Sequence, residues 1–303
     1  MGKLPVDYLG KIANEFRGQL SAYIKNLDTG ETFEYNPDLP LPTASICKVP
    51  VMIELFKQVE QGKLSLQDRC RLSDDISAHG SGVLSMLYDQ PELSFYDYAR
   101  LMIRVSDNMA TDMLIERLTP RAINETMDDL GFTNTRTSVT LGLYHYRMYG
   151  VESLPRNRGN DVKTLGGSGG NRVDPNSISY KGIPENNITS GRDMGQILEQ
   201  LHAGQIVSAS ASAAMIDLLK GCKSTKKIPR HLDSGITVAH KIGGSNRIQG
   251  DVGIVYLPTG PLIVSVMTLG EDPDAKGSDL IAEMSKVAVG ALSPESVALE
   301  TVT

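Results

Sequence analysis

The stretch "PTASICKVP", residues 42–50, places Ser45 three residues before Lys48 at the start of an apolar segment. Residues at i and i+3 share one face of a helix, so we expect the Lys48 amine near the Ser45 hydroxyl. A serine is a weak nucleophile unless a neighbouring base takes its proton, and a buried lysine with a lowered pKa can be that base. The alternative is a helix-capping serine and a solvated lysine. The apolar flanks favour a buried site, where a lone charged lysine would be costly.

The composition is typical of a folded globular protein of one large unit. The chain has 303 residues, of which 40% are hydrophobic and 22% are charged, and its formal net charge is −6. Nucleic acids and anionic membranes require a concentrated basic surface, which this balance does not provide. We therefore expect a small-molecule substrate as the partner, with no nucleic acid and no membrane. The sequence does not determine the oligomeric state.

The first residues, "MGKLPVDYLGKIANEF", contain charges throughout and no apolar core of the length of a signal peptide. No apolar run approaches the roughly 20 residues of a membrane span. The chain as given is therefore expected in the cytoplasm, or in the periplasm or medium if a leader has been removed.

Cysteine and histidine patterns indicate neither a disulfide framework nor a metal site. The three cysteines Cys47, Cys70 and Cys222 are odd in number and lack metal-ligand spacing. We interpret all three as small hydrophobic side chains in a reducing compartment. The five histidines show no ligand spacing either, and His79 and His240 are interpreted as chance neighbours of other motifs. No metal and no cofactor are expected.

Strand patterns lie at both ends of the chain and helical patterns lie between them. "QLSAYIKNLDTGETFEYNP" (19–37) predicts two strands around a turn, and three strand patterns recur between residues 235 and 270. Apolar residues at helical spacing predict further helices. The predicted helices cover 45–63, much of 72–131, 188–205, 210–221 and 278–292. The simplest architecture is an antiparallel sheet flanked by helices, an α+β (α/β) fold, with an inserted helical domain.

We predict a single unit over residues 1–303 with two subdomains. The α/β subdomain covers about 1–50 and 205–303, and the helical subdomain about 51–204. The stretch "TLGGSGGNR" (164–172) has the composition of a flexible segment and predicts a glycine-rich loop at about 160–172.

Two further motifs accompany the serine and the lysine. "VSDNMATD" contains Ser106-Asp107-Asn108 between two apolar helical stretches, where small polar residues also suit a helix cap. "AHKIGG" places Lys241 late in a strand, before two glycines that allow close approach to the backbone. A second cation at Lys241 would help to keep Lys48 neutral.

In this order, the three motifs resemble those of the penicillin-recognising serine hydrolases, and specifically the class A β-lactamases. The stretches "SGVLSML", "SDNMATDMLIERL", "ITSGRDMGQILEQLHAGQ", "KKIPRHLDSGITVAHKIGG" and "GDVGIVYLPTGPLIVSVMT" extend the resemblance over roughly residues 15 to 292. The resemblance implies a β-lactamase/transpeptidase-like fold and an acyl-enzyme mechanism.

By this resemblance, Ser45 is the acylated nucleophile, Lys48 the base or proton shuttle, and Ser106 the relay to the leaving nitrogen. Asn108 orients the acyl side chain. The resemblance also makes Lys241 the lysine of the third motif, which Gly243 completes. The oxyanion hole is implied to use the backbone N–H of Ser45 and that of a residue on the strand after the third motif. These implied catalytic and substrate-binding residues are Ser45, Lys48, Ser106, Lys241, Asn108, Gly243, Gly244 and Ser245.

Two departures from the class A pattern affect the expected chemistry. Ile242 replaces the hydroxyl residue that binds a substrate carboxylate, and Ser245, Asn246 or Arg247 are candidates to substitute for it. The family's E-x-x-L-N stretch, whose glutamate activates the deacylating water, is absent from residues 137–187. Glu152 and Glu185 are poor replacements by context. We therefore expect acylation with slow deacylation.

Three functions stay open at the level of sequence. The first is a serine hydrolase of class A type acting on a β-lactam or a related amide or ester. The second is a D-alanyl peptidase, or an esterase, amidase or acyltransferase with another substrate. The third is an inactive ligand-binding module, against which the four retained residues Ser45, Lys48, Ser106 and Lys241 argue.

Overall fold

The computed structural model describes residues 2–73, 75–76, 79–164, 173–272 and 275–298. Nine strands lie in these ranges: β1 Gly18–Asn26, β2 Thr32–Tyr35, β3 Leu41–Pro42, β4 Arg69–Arg71, β5 Glu92–Ser94, β6 Ile188–Thr189, β7 Thr237–Gly244, β8 Ile248–Leu257 and β9 Gly260–Gly270. Ten α-helices lie in the same ranges: α1 Val6–Asn14, α2 Lys48–Glu60, α3 Phe95–Arg104, α4 Asn108–Leu118, α5 Pro120–Asp129, α6 Leu141–Met148, α7 Arg158–Thr164, α8 Gly191–His202, α9 Ala209–Lys220 and α10 Gly277–Leu292.

The main sheet joins the two ends of the chain. Its strand order is β2-β1-β9-β8-β7, and each neighbouring pair is antiparallel. Strand β1 pairs with β9 from Gly18 opposite Gly270 to Asn26 opposite Leu262. This arrangement confirms the predicted antiparallel sheet flanked by helices. The strand β7 lies at one edge, so one of its sides is free to border a cleft.

Both faces of the sheet are covered, because successive side chains of a strand point to opposite faces. In β1, Leu20, Ala22 and Ile24 are buried in a cluster with residues of α1 and α10. Tyr23 points to the other face, where its hydroxyl donates to Glu199 of α8 at 2.6 Å. Each large apolar side chain buried in this way contributes about 1.5–3 kcal/mol.

Helix α2 runs through the helical half of the molecule. Its residues from Lys48 to Phe56 are all buried, although its first residue is a lysine. A helix buried on all sides belongs to a core, so the residues at its start lie inside the protein. It ends at Glu60, and Gly62 just beyond it has a φ of 69°, a conformation that favours glycine.

The structure corrects the predicted helical content in two places. Residues 72–94 were expected to be mostly helical, but their described part contains loops, one 3₁₀ turn at Leu84–Met86 and strand β5. The predicted glycine-rich loop began at about residue 160, yet residues up to Thr164 belong to α7, and residues 165–172 lie outside the described ranges. The glycine content thus did not predict where α7 ends.

Three separate parts of the chain meet where the motifs lie. They are the 3₁₀ turn Ala44–Cys47 that leads into α2, the junction between α3 and α4, and the edge strand β7. The predicted boundaries of the two subdomains stay a prediction. Among the described residues, none of the helices combines the length and the apolar character of a membrane span.

Candidate active site

Ser45 lies in the 3₁₀ turn immediately before α2 and lines a cavity of about 120 Å³. The residue before it, Ala44, has a φ of 44°, which is unfavourable for a residue with a Cβ. Such strained backbone persists only where the surrounding structure enforces it, and it is frequent at active sites. The turn therefore presents a half-buried hydroxyl to the cavity rather than capping the helix with it.

Lys48 is fully buried, and its amine has four oxygen atoms within hydrogen-bonding distance. Nζ lies 3.0 Å from Ser45 Oγ, 2.9 Å from Ser106 Oγ and 2.7 Å from the Ser106 carbonyl oxygen. It also lies 2.8 Å from Asn108 Oδ1. The solvated lysine of the alternative interpretation is thus wrong, and the amine joins the hydroxyl groups of two motifs.

Burial lowers the pKa of Lys48 well below its usual value, and the nearby Lys241 lowers it further. The carboxylates of Asp107 and Asp112 act in the opposite direction but do not restore the usual pKa. A neutral amine has a lone pair, so it can accept the proton of a hydroxyl. The lowered pKa shifts Lys48 toward this neutral form, in which it is suited to act as a base toward Ser45.

The junction of α3 and α4 holds the second motif in place through Asp107. Its side chain accepts from Ala110 N at 2.9 Å and so caps α4, as the cap interpretation anticipated for one residue of this motif. The same carboxylate accepts from Val83 N at 2.6 Å and Leu84 N at 2.9 Å. Its neighbour Ser106 has a φ of 57°, a second strained residue. Capping and strain together direct the Ser106 hydroxyl toward Lys48.

Asn108, the first residue of α4, lines the same cavity as Ser45. Its Oδ1 accepts from Lys48, and its Nδ2 donates to the backbone oxygen of His79 at 3.2 Å. The backbone at His79 thus helps to orient the amide of Asn108.

Lys241, on β7, completes the group of polar side chains from the sheet side. Its Nζ donates to Ser106 Oγ at 3.0 Å and to the carbonyl oxygen of Ile242 at 2.8 Å. The side chain is fully buried, and burial lowers its pKa. Ser106 therefore lies between two buried amines, Lys48 and Lys241, which is the geometry required of a proton relay.

The residues after Lys241 lie in three different settings. Gly244 is exposed and lines the cavity with Ser45. Gly243 is buried, and a side chain there would collide with the carbonyl oxygen of Thr43, so this glycine permits packing of β7 on the 3₁₀ turn. The Ser245 hydroxyl lies 3.4 Å from the sulfur of Met148. Gly244 is thus the one of the three that faces the cavity.

Helix α6 forms a further wall that sequence reasoning missed. Leu141, Tyr144 and His145, at i, i+3 and i+4, line the cavity. Asp112 accepts from Leu141 N at 2.6 Å and Gly142 N at 2.8 Å, which anchors the start of the helix. The sequence did contain a signal for the start of this helix: Thr140, whose side chain caps α6 by accepting from Leu143 N.

His145 is half-buried in this wall and is neutral at physiological pH. Burial lowers its pKa to about 3, with smaller contributions from His79 and Lys48. Glu152 and Glu185 lie elsewhere: Glu152 pairs with Arg147 at 3.3 Å, and Arg147 also donates to the Glu185 carbonyl oxygen. The described wall of the cavity contains no carboxylate side chain.

Lys227 is a third buried lysine of this region, and the sequence analysis did not single it out. Its Nζ donates to the carbonyl oxygens of Gly243 and, at 3.0 Å, Gly250. Burial lowers its pKa to about 8. Ile242 lacks the hydroxyl with which the family binds a substrate carboxylate. Arg247, one of the candidates to replace that hydroxyl, donates to the Gly270 carbonyl oxygen at 2.8 Å.

The comparisons with known proteins identify the family of this chain. The model of the β-lactamase enzyme family, Beta-lactamase2, matches residues 5–292. The chain belongs to this family. A curated relative, β-lactamase SME-1 of Serratia marcescens, is 23% identical over 290 residues, which are 93% of this chain and 87% of the relative. An imipenem-hydrolysing β-lactamase of Enterobacter cloacae is 22% identical, with 94% and 88% covered.

Solved structures of β-lactamases and penicillin-binding proteins share the fold. The β-lactamase of Sphaerobacter thermophilus superposes with a TM-score of 0.76 at 27% identity, covering 95% of this chain and 96% of that chain. A point mutant of PBP-A, solved as an acyl-enzyme complex with penicillin G, superposes with a TM-score of 0.75 at 24% identity, with 96% and 98% covered. These superpositions confirm the predicted β-lactamase/transpeptidase-like fold.

Proposed function

We propose that this chain is a serine hydrolase that is acylated on Ser45 by a β-lactam or a related amide or ester and deacylates slowly. The observation that carries the proposal is the position of the Lys48 amine, 3.0 Å from Ser45 Oγ and 2.9 Å from Ser106 Oγ in a fully buried site. The family match supports the same chemistry.

In the acylation step, neutral Lys48 accepts the proton of Ser45 as Oγ attacks the substrate carbonyl carbon. The proton then passes to Ser106, whose hydroxyl donates its own proton to the leaving nitrogen. Lys241, 3.0 Å from Ser106 Oγ, holds that hydroxyl in position and provides positive charge for an anionic substrate group. No group outside this chain is required for the transfer.

The oxyanion that forms on the substrate requires preorganised donors near Ser45. We assign this role to the backbone N–H groups of Ser45 and Gly244, because both residues line the same cavity. Asn108 lines it as well and would contact the acyl side chain. Gly243 and Ser245 act indirectly, by positioning the end of β7.

Slow deacylation follows from the composition of the α6 wall. Hydrolysis of the acyl-enzyme requires a base that activates water, and a base with a pKa far below the operating pH is a weak one. Two titratable residues of this wall line the cavity: His145, with a pKa of about 3, and Tyr144, whose pKa is raised by burial so that its hydroxyl stays protonated. The arrangement therefore favours a long-lived adduct over rapid turnover.

The test is incubation with a fluorescent penicillin and with a chromogenic cephalosporin, followed by intact mass. We expect one covalent adduct per chain that persists for minutes or longer, and its loss in Ser45→Ala. The matched control is Ser210→Ala, which changes an exposed serine on α9 and should retain the adduct.

The outcomes are distinguishable. Absence of both adduct and turnover in the folded protein contradicts β-lactam acylation, and cleavage of simple esters would then indicate a different acyl substrate. Turnover faster than about 10 s⁻¹, a typical enzyme rate, contradicts slow deacylation but not acylation of Ser45. An adduct that survives Ser45→Ala contradicts the assignment of the nucleophile.

A further inference from the structure

The opposite side of β7 from the cavity carries a second cluster of reactive groups: Cys222, His240 and Asp251. His240 is 2% exposed, and its Nδ1 lies 2.8 Å from Asp251 Oδ1. The Cys222 thiol, just after α9, lies beside the His240 side chain, which lowers its pKa, and both residues line one cavity. Cys222, a nucleophile, thus lies next to the imidazole of His240, which the Asp251 carboxylate orients, and all three lie outside the site of Ser45.

This cluster opens onto a cavity of about 490 Å³, which is in the size range of small-molecule sites. Cys222 and His240 both line it, with Lys220 and Arg230 among the other lining residues. Cys222 is half-buried rather than enclosed, so a small molecule can reach its sulfur. Both basic side chains pair with exposed carboxylates at the surface, Lys220 with Asp217 and Arg230 with Asp279, and a carboxylate of a ligand would exchange with these partners.

The charges of the cluster favour a thiolate. Burial by itself lowers the pKa of His240, but the Asp251 carboxylate outweighs it and raises the pKa to about 10. The ring is therefore an imidazolium at neutral pH. Burial by itself raises the pKa of the Cys222 thiol, but the hydrogen bond and charge of His240 outweigh it, and the pKa is lowered overall. A cysteine paired with an imidazolium is nucleophilic at neutral pH.

We infer that Cys222 is a site of reversible thiol modification by small carboxylate-bearing disulfides that bind in this cavity. In the reaction, the Cys222 thiolate attacks one sulfur of the disulfide, a new S–S bond forms, and the old S–S bond breaks. The released thiolate takes a proton from solvent. The same number of disulfide bonds exists before and after, so no further oxidant is needed. The interpretation of Cys222 as an inert hydrophobic residue is wrong on this account.

The chain contains its own controls for this inference. Cys70 is also half-buried, but burial raises its pKa. Cys47 is fully enclosed, and burial raises its pKa to about 11. Reaction at Cys222 in preference to Cys70 would therefore reflect its setting and not exposure alone.

The experiment treats the folded full chain with oxidised glutathione at pH 7 and follows the mixed disulfide by peptide mass. We expect Cys222 to be modified at least about tenfold faster than Cys70, because each unit of pKa changes the thiolate fraction tenfold. Cys222→Ser should abolish the fast phase, and Cys70→Ser should leave it unchanged. Modification at Cys70 as fast as at Cys222, or no adduct at Cys222, overturns the inference.

The modification also has an expected effect on the site of Ser45, and this part rests on the proposed function. The Cys222 thiolate raises the pKa of Lys241, so its conversion to a neutral disulfide removes positive charge from Lys241. We expect acylation by a carboxylate-bearing penicillin to slow by about tenfold in the modified protein and to recover with dithiothreitol. Equal acylation rates before and after modification overturn this coupling, whereas the labelling result stands independently of any acylation.

Discussion

Two neighbouring residues of β7 show opposite responses to the same degree of burial. Lys241 is fully buried against the Ser106 hydroxyl and the Ile242 carbonyl oxygen, and its pKa is lowered. His240 is 2% exposed against the Asp251 carboxylate, and its pKa is raised. The difference shows that, at similar burial, a carboxylate partner raises the pKa of a base that burial alone would lower. The cleft side is suited to proton transfer, and the other side holds a fixed ion pair.

The largest expected effect comes from removing the neutral base of the cleft. Lys48→Met keeps the length and apolar character of the side chain but cannot accept the proton of Ser45. We expect the rate of Ser45 acylation to fall by at least about a thousandfold, because nucleophile and base act as a unit. Stopped-flow mixing with a chromogenic cephalosporin measures this rate. Acylation within tenfold of the parent rate would remove Lys48 from the mechanism.

On the other side of β7, the expected effect is on stability. Asp251→Asn leaves His240 buried without a counter-ion, and loss of one partner of a buried pair costs about 3–5 kcal/mol. The control is Asp279→Asn, whose carboxylate pairs with Arg230 at the surface and should contribute about 0–1 kcal/mol. Urea unfolding measures both free energies. Equal losses in the two variants would contradict the comparison.

The pair of His240 and Asp251 also predicts how the stability of the protein depends on pH. The pKa of His240 rises on folding from 6.5 to about 10, so its contribution is complete below pH 6.5 and is lost as the pH rises toward 10. The pKa of Asp251 is lowered from 3.8, so its contribution is lost as the pH falls below that value. The stability difference between the parent and Asp251→Asn should therefore be largest between pH 4 and 6.5. A difference that grows from pH 7 to pH 9 would contradict this assignment.

A fourth prediction places a carboxylate on the cleft side. Leu141 lines the cavity of Ser45, so Leu141→Glu introduces a base within the α6 wall. We expect deacylation of the penicillin adduct to accelerate by about a hundredfold, the low end of general-base effects. Leu141→Gln is the matched control and should not accelerate it. Time-resolved intact mass after removal of free penicillin measures adduct lifetime, and equal lifetimes in the two variants would contradict the account.

The smallest expected effect concerns Ile242. Ile242→Thr introduces a hydroxyl beside Lys241 that can donate to a substrate carboxylate, and a hydrogen bond to a charged group contributes about 1.5–3 kcal/mol. We expect acylation by carboxylate-bearing penicillins to become about tenfold faster, with Ile242→Val unchanged. Second-order acylation rates measure both. A threonine variant no faster than the valine variant would assign carboxylate binding to other groups.

The sequence predicted those parts of the fold and site that depend on local patterns. Period-two alternation identified the strands of the main sheet, and the S-x-x-K spacing brought Ser45 near Lys48 because three residues span nearly one helical turn. Motif order then indicated which segments meet. The resulting prediction of an antiparallel sheet flanked by helices is confirmed.

The parts that sequence reasoning missed depend on contacts between distant residues. His240 was taken as a chance neighbour of Lys241, because its partner Asp251 lies on the next strand and only the register of β7 with β8 brings them together. The role of Asp112 in anchoring α6 likewise joins two distant stretches. The spacing of residues along one stretch of sequence contains no information on which distant residues come into contact.

The most direct test of the central claim is a titration of the Lys48 amine in the folded protein. Nuclear magnetic resonance of carbon-13-labelled lysine side chains, with Lys48→Met for assignment, reports the charge of this amine as a function of pH. The account predicts a neutral Lys48 at pH 7, with a pKa far below the usual 10.5. A resonance that titrates near 10.5 would show a charged amine, and Lys48 could not then be the base that activates Ser45.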